Sequence, residues 1–241
     1  MKKIYDKNES NFALIWIGIY VVLVSFADNF SGKIGTAKSV TAPVCIALTL
    51  IIYLWINKNE LKEKYGLCSF KGSAKKYLYF IPLVLLSSTN VWWGLKLNLT
   101  VVESVLYVIS MLCVGFLEEV IFRGFLFKAL CKDNIKLAII ISSVTFGLGH
   151  IVNLLNGRDI PETLMQICYA VAIGFVFTII FYKGKSLWPC IIAHGVVNSL
   201  SAFANTDAAP AWHGIAGSIF LCVVSLAYAA YLILATKNEK E

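Results

Sequence analysis

Eight apolar runs dominate the sequence and decide what it can fold into. They cover about residues 11–27, 39–57, 77–93, 101–130, 135–155, 162–182, 186–205 and 212–235, of which the first and third are the shortest and the fourth is overlong. A helix needs about 20 mostly apolar residues to cross the hydrocarbon core of a membrane. The sequence therefore predicts an all-α fold, a polytopic membrane helix bundle with about eight transmembrane helices.

The composition is also that of a membrane protein. Hydrophobic residues make up 59% of the chain and charged residues only 15%, and the mean hydropathy is +0.75. The connections between the runs are too short for a second globular domain. We therefore predict a single integral membrane domain over 1–241, with one lysine-rich segment at about 57–76 lying on the membrane surface.

The net charge of +7 is explained by its distribution along the chain. With eight spans and a cytoplasmic N-terminus, 17 of the 21 Lys and Arg residues lie in the cytoplasmic segments or the cytoplasmic halves of the adjoining runs, and the outer loops hold 4. This asymmetry predicts a multi-pass protein of the cell membrane with both termini in the cytoplasm. The basic excess also favours contact with anionic membrane lipid, and it does not indicate a nucleic-acid partner. A lysine-rich chain with short loops is typical of bacterial proteins.

The N-terminus allows a second interpretation. Three lysines, an apolar run and then Ser25-Phe26-Ala27 also resemble a cleavable signal peptide. Cleavage at that point would leave the orientation of the later spans unchanged, so both interpretations stay open.

The seven cysteines do not indicate a disulfide or metal framework. They are scattered, odd in number and without a C-x-x-C pair. Most of them lie in apolar runs, where a free cysteine behaves as a small hydrophobic residue.

Two adjacent acids interrupt the fourth apolar run. An ionised side chain at the centre of a membrane helix costs about 2.5–3.5 kcal/mol on insertion scales, so Glu118, Glu119 and the nearby Arg123 need a reason. Neighbours on an α-helix point about 100° apart, which puts the two glutamates on different faces. Glu119 and Arg123 are four residues apart and are predicted to form an ion pair, whereas Glu118 is left without a local partner.

Two further runs carry polar residues that could meet Glu118. His150 shares a helix face with Phe146, and His194 shares one with Asn198. A single polar residue inside a membrane is often a link between helices. A glutamate, two histidines and an asparagine on three different helices instead predict a site. His213, beside Trp212 at a loop edge, is interpreted as an interfacial residue without a catalytic role.

These residue types support two kinds of hydrolytic chemistry. A carboxylate and an imidazole can activate a water molecule, while a second imidazole and a carboxamide can stabilise an oxyanion. Alternatively, Glu118, His150 and His194 make a three-ligand zinc set, although the H-E-x-x-H pattern is absent. Two other functional classes compete with hydrolysis: an ion-coupled transporter, for which the expected inverted repeat is lacking, and a non-enzymatic membrane immunity or scaffold protein.

Three sequence blocks resemble the signatures of a known family. Glu118-Glu119-x-x-x-Arg123, Phe146-x-x-x-His150 and His194-x-x-x-Asn198 are similar to those of the CPBP family. These are the CAAX-protease and bacteriocin-processing intramembrane endopeptidases, related to the type II CAAX prenyl protease. The resemblance covers about residues 100–205, which we interpret as the motif-bearing core of the domain.

The resemblance implies a function and a set of roles. Glu118 and His150 would activate water, His194 and Asn198 would stabilise the oxyanion, and Glu119 and Arg123 would support the site. The family is customarily labelled metalloprotease, and a metal-free glutamate mechanism has also been proposed for it. A carboxamide at Asn198 is a poor zinc ligand and a good donor, which favours the metal-free form. The substrate would be a membrane-associated peptide or lipidated protein, in bacteriocin processing or self-immunity.

Counting residues from the helix ends gives an expected depth for the site. At 1.5 Å per residue, Glu118 lies about 18 Å, His194 about 12 Å and His150 about 22 Å from the cytoplasmic end of its span. We therefore predict that the three side chains meet. We also predict a polar cavity that reaches Glu118 from the cytoplasmic half of the membrane.

Overall fold

The fold is a bundle of helices. A computed structural model describes residues 1–154 and 157–237. In chain order the helices are α1 (Lys2–Lys7), α2 (Glu9–Ile34), α3 (Thr41–Lys58), α4 (Ile81–Ser88), α5 (Val101–Glu118), a π-helix (Glu119–Phe127), α6 (Lys128–Leu130), α7 (Ile135–Gly149), α8 (Ile160–Gly184), α9 (Trp188–Leu200) and α10 (His213–Ala235). Short 3-10 turns flank α4 and follow α7 and α9. The predicted all-α fold is confirmed: in the described residues, β pairing is limited to one isolated bridge between Leu95 and Ala204.

Six helical segments of the described chain are long and apolar enough to cross a membrane. They are Glu9–Ile34, Thr41–Lys58, Val101–Leu130, Ile135–Leu154, Ile160–Gly184 and His213–Ala235. The predicted spans at 77–93 and 186–205 are instead short helices, since the helical segment Leu78–Val91 has 14 residues and α9 has 13 residues. The protein is therefore a multi-pass membrane protein, and the count of eight spans stays a prediction.

Helix α2 is longer than the apolar run that predicted it. Its start is fixed by Asn8, whose side chain accepts a hydrogen bond from the Asn11 amide. Its end is fixed by Gly35, which adopts the left-handed conformation that closes a helix. The helix runs without interruption through residues 25–27, and Phe12, Trp16 and Tyr20 pack into the main hydrophobic core. Cleavage after this stretch, the signal-peptide alternative, would remove that packing.

The centre of the fourth apolar run is not a regular α-helix. Residues Glu119–Phe127 form a π-helix, and all nine of them are buried. A π-helix bonds each residue to the fifth along and commonly marks functional sites. It packs against α2, α7 and α8, which explains the complete burial. The angle of about 100° between neighbouring side chains, which the sequence analysis assumed for an α-helix, therefore applies only up to Glu118.

The chain ends and loops divide between two faces of the bundle. On the N-terminal face, Glu9 pairs with Lys64 at 2.8 Å and with Lys132 at 2.7 Å. On the opposite face, called the distal face here, Ala37 donates its amide to Glu103 at 2.9 Å. The distal face comprises the connections at 35–40, 92–100, 157–159 and 204–212. Successive helices that line the site run in opposite directions, so that the connections between them lie alternately on these two faces.

The lysine-rich loop is anchored to the N-terminal face. Ser186 donates its hydroxyl to the Cys68 carbonyl at 2.7 Å, and the Leu187 amide donates to the Gly66 carbonyl at 2.8 Å. Tyr65 and Tyr77 are almost completely buried. The predicted surface segment therefore docks on the turn between α8 and α9 and closes this end of the bundle.

Candidate active site

The three sequence blocks meet at one cavity. Its volume is about 570 Å³, and Glu118, His150, His194 and Asn198 all line it. Glu119 and Arg123 lie behind the cavity wall and are fully buried. The structure therefore brings the predicted site residues to one place.

His194 lies between the two glutamates. Its Nδ1 is 2.8 Å from Glu119 Oε1, and its Nε2 is 3.4 Å from Glu118 Oε2. The contact depends on close packing of α5 and α9, because a Cβ atom on Gly115 would lie only 2.7 Å from the Gly195 nitrogen. Glycine at position 115 thus lets the two backbones approach until the imidazole reaches both carboxylates.

The predicted ion pair of Glu119 and Arg123 is present. Arg123 Nη1 donates to Glu119 Oε1 at 3.1 Å, and neither side chain is exposed. The guanidinium carbon also lies 3.9 Å from the centroid of the Phe146 ring, a cation–π contact. Glu119 Oε1 therefore joins Arg123 to His194, and the pair also fixes the orientation of the imidazole.

His150 stands where α7 gives way to a 3-10 turn. The Phe146 ring lies against both imidazoles, with centroid distances of 5.5 Å to His150 and 5.7 Å to His194. Gln166 Nε2 lies 3.4 Å from His150 Nδ1, and Gln166 Oε1 accepts a hydrogen bond from Asn153 at 2.8 Å. Sequence reasoning did not find Gln166, although an amide within an apolar run was a usable signal.

Tyr20 is a second site residue that sequence reasoning missed. Its hydroxyl donates to Glu118 Oε1 at 2.6 Å, and the side chain is buried. The other oxygen, Oε2, has no hydrogen-bond partner among the described residues. Glu118 is thus held through one oxygen, and its second oxygen is buried 3.4 Å from His194 Nε2 without a hydrogen bond to a described residue. A tyrosine in an apolar span gives no sequence signal of this role.

His213 is separate from the site. Trp93 donates its indole N–H to His213 Nδ1 at 2.5 Å near the start of α10. His213 does not line the cavity. Its place among Trp93 and Trp212 agrees with the interfacial interpretation.

The zinc set proposed from the sequence does not fit this arrangement. In residues 1–154 and 157–237, no three His, Cys, Asp or Glu side chains are grouped so that they could hold a metal ion. All seven cysteines are free thiols.

The cavity opens towards the distal face, whereas the sequence predicted an opening on the same side of the membrane as the N-terminus. Its lining on α2 runs from Tyr20 to Asp28, towards the distal end of the helix, and its lining on α9 runs from Ala193 to Asn198. Counting residues measured only depth along each helix. It could not reveal that the anchored lysine-rich loop and the π-helix close the other end.

Comparisons with known proteins agree with the sequence blocks. Residues 100–200 match the family described as type II CAAX prenyl endopeptidase Rce1-like. A protein of Bacillus subtilis (strain 168) named "Putative membrane peptidase YdiL" is 34% identical over 191 residues, which cover 71% of this chain and 72% of the relative. No solved structure matches the chain.

Proposed function

The chain belongs to the CPBP family of CAAX-protease-like membrane peptidases, and from this premise we propose that it hydrolyses a peptide bond of a membrane-associated peptide or protein. The observation that carries the proposal is the position of Glu118. Its carboxylate is held by Tyr20 at one oxygen and lies 3.4 Å from His194 at the other, on the wall of a cavity. A fixed carboxylate beside an imidazole is suited to taking a proton from water.

The proposed reaction needs no covalent intermediate. Glu118 takes a proton from a water molecule, the resulting hydroxide attacks the scissile carbonyl carbon, and a tetrahedral oxyanion forms. The protonated Glu118 then gives its proton to the leaving nitrogen as the C–N bond breaks. The products are a new carboxyl terminus and a new amine, so the atoms of one water molecule are divided between them.

The other side chains have separate roles in this mechanism. With Gln166 donating to its Nδ1, His150 carries a proton on Nε2 and can hold the attacking water beside Glu118. The doubly protonated form of His194 donates through Nδ1 to Glu119 and directs its Nε2 proton to the Glu118 side of the cavity, where the oxyanion forms. Asn198, which also lines the cavity, supplies a second donor for the oxyanion. Glu119 and Arg123 hold His194 in place.

A comparison of protein N-termini in membranes tests the function and requires no identified substrate. Membranes from cells that contain the wild-type protein should carry new N-termini that are absent when Glu118 is replaced by Gln. Identical N-termini in the two samples would contradict the peptidase assignment and would favour the immunity or scaffold alternative. A bacteriocin precursor among the cleaved proteins would place the enzyme in bacteriocin processing or self-immunity.

Tyr20→Phe is expected to reduce cleavage while the protein remains folded. The change removes the hydrogen bond to Glu118, and such bonds to charged groups contribute about 1.5–3 kcal/mol. If that contribution is lost in the transition state, the rate falls about ten- to a hundredfold. Initial rates of substrate cleavage by the purified variants measure it.

Tyr107→Phe is the matched control for this prediction. Tyr107 also lines the cavity, but its hydroxyl pairs with Ser201 at 3.0 Å. This variant should keep a rate close to that of the wild type. Equal losses of rate in both variants would show that the loss of any hydroxyl in the cavity has this effect. Tyr20 would then have no specific role in catalysis.

We propose that the reaction is metal-free, because the three candidate ligands are not grouped as a metal site in the described residues and the carboxamide of Asn198 is a better hydrogen-bond donor than a zinc ligand. Cleavage by the purified protein should therefore persist after treatment with 1,10-phenanthroline or EDTA. Loss of activity on chelation and its recovery on adding zinc would contradict this mechanism.

A further inference from the structure

The cavity lining extends from the distal face to the middle of the bundle, where it reaches Glu118 and Phe122. On α7 and its following turn the lining starts at Phe146 and reaches Asn153, and on α8 it starts at Gln166 and stops at Phe177. Helix α10 contributes only Leu221, within three turns of its distal start. The opposite end is closed by the anchored lysine-rich loop and the buried π-helix. Water therefore reaches Glu118 from the distal face.

The charge distribution says which side of the membrane this face occupies. The distal face holds only 4 of the 21 basic residues, namely Lys33, Lys38, Lys96 and Arg158. Basic residues concentrate on the cytoplasmic side of membrane proteins. The distal face is therefore the outer one, and the cavity opens away from the cytoplasm.

The helices around the cavity form a ring with one gap. Neighbours pack in the order α2, α3, α5, α9, α4, α10, α8 and α7. Between α7 and α2 the described residues form no comparable helix–helix interface, and both helices instead pack against the π-helix. The π-helix lies at the level of Glu118 and below, so the gap between α2 and α7 is open in the distal half.

The walls of this gap change character from outside to inside. Phe26 and Phe30 on α2 and Ile151 after α7 are more than half exposed, and they present apolar surface where lipid would lie. Ser25, Asn153 and Gln166 line the cavity behind the gap. A helix must unwind before one of its peptide bonds can be cut, and backbone groups freed in lipid need polar partners or water. A segment that passes through the gap therefore meets apolar surface first and polar side chains next.

We propose that the substrate is a membrane-embedded protein segment that enters sideways between α2 and α7 and is cut in the outer half of the membrane. This inference rests on the proposed peptidase function, and it names the substrate class and the side of access. The apolar part of the segment stays at the rim, while the scissile bond reaches Glu118 through the polar inner wall.

Thiol labelling tests the side of access and does not depend on catalysis. A cysteine at Ser25, which lines the cavity, should react with a membrane-impermeant maleimide added to intact cells, above the background of the seven native cysteines. A cysteine at Lys75, which is exposed on the N-terminal face, should react only in inside-out vesicles. Reaction of Ser25→Cys only in inside-out vesicles, or in neither preparation, would overturn the proposal even if the peptidase function holds.

Fluorescence quenching by lipid tests the gap itself. Bimane attached to Val152→Cys, beside the gap, should lose most of its emission in vesicles containing doxyl-labelled lipid. Bimane on Val197→Cys is the matched control, because Val197 lines the same cavity from α9, which packs between α5 and α4. That label should keep its emission. Equal quenching of the two labels, or none at Val152, would rule out a lipid-facing opening between α2 and α7.

Discussion

Replacement of Glu118 by Gln should lower peptide cleavage by about 10²–10⁴-fold, the usual contribution of a general base. The side chain keeps its size and can still accept the hydrogen bond from Tyr20, but it can no longer take a proton from water. The rate is measured with purified protein in detergent or vesicles. Expression, membrane insertion and thermal stability should remain close to those of the wild type.

Glu162→Gln provides the control for this variant. Glu162 is exposed in the first turn of α8 and does not line the cavity. The same change of charge there should leave the rate unaltered. A Glu118→Gln variant that cleaves at the wild-type rate would mean that the base is another group.

Glu119→Gln is expected to have its largest effect on stability. It leaves the fully buried Arg123 guanidinium without its carboxylate, a loss that costs about 3–5 kcal/mol in soluble proteins. The midpoint of thermal unfolding, followed by fluorescence in detergent, should therefore fall clearly below that of the wild type. Cleavage should also fall, because His194 Nδ1 loses the oxygen that orients it.

The two glutamates can be separated by comparing their variants. The exposed Glu162→Gln change should alter stability by no more than about 0.5 kcal/mol. If Glu118→Gln and Glu119→Gln were equally stable and equally inactive, the assignment of chemistry to one glutamate and support to the other would be wrong.

Hydropathy and helical spacing were enough to predict the elements that carry the site. The run at 101–130 coincides with the continuous helical segment Val101–Leu130, because an apolar stretch of this length has few other structures available in a membrane. The spacing of Glu119 and Arg123 predicted their ion pair, since it depends only on residues one turn apart. The resemblance to the CPBP family is confirmed by the relatives.

Features that depend on contacts between distant helices could not be predicted in this way. Tyr20 and Glu118 are 98 positions apart, and one tyrosine in an apolar run gives no sign of its partner. The π-helix leaves no periodic signature over nine residues. The opening of the cavity depends on where the lysine-rich loop docks and on how weakly the described parts of α2 and α7 pack against each other, neither of which is visible in hydropathy.

The most direct test of the account is hydrolysis in ¹⁸O-labelled water by the purified, reconstituted protein. The substrate is the segment identified by comparing membrane N-termini. We expect ¹⁸O in the new carboxyl terminus of the product formed by the wild-type protein, and no such product with Glu118→Gln in the same time. Absence of cleavage by the wild type, or equal labelled product from both proteins, would contradict the claim that Glu118 activates water in this cavity.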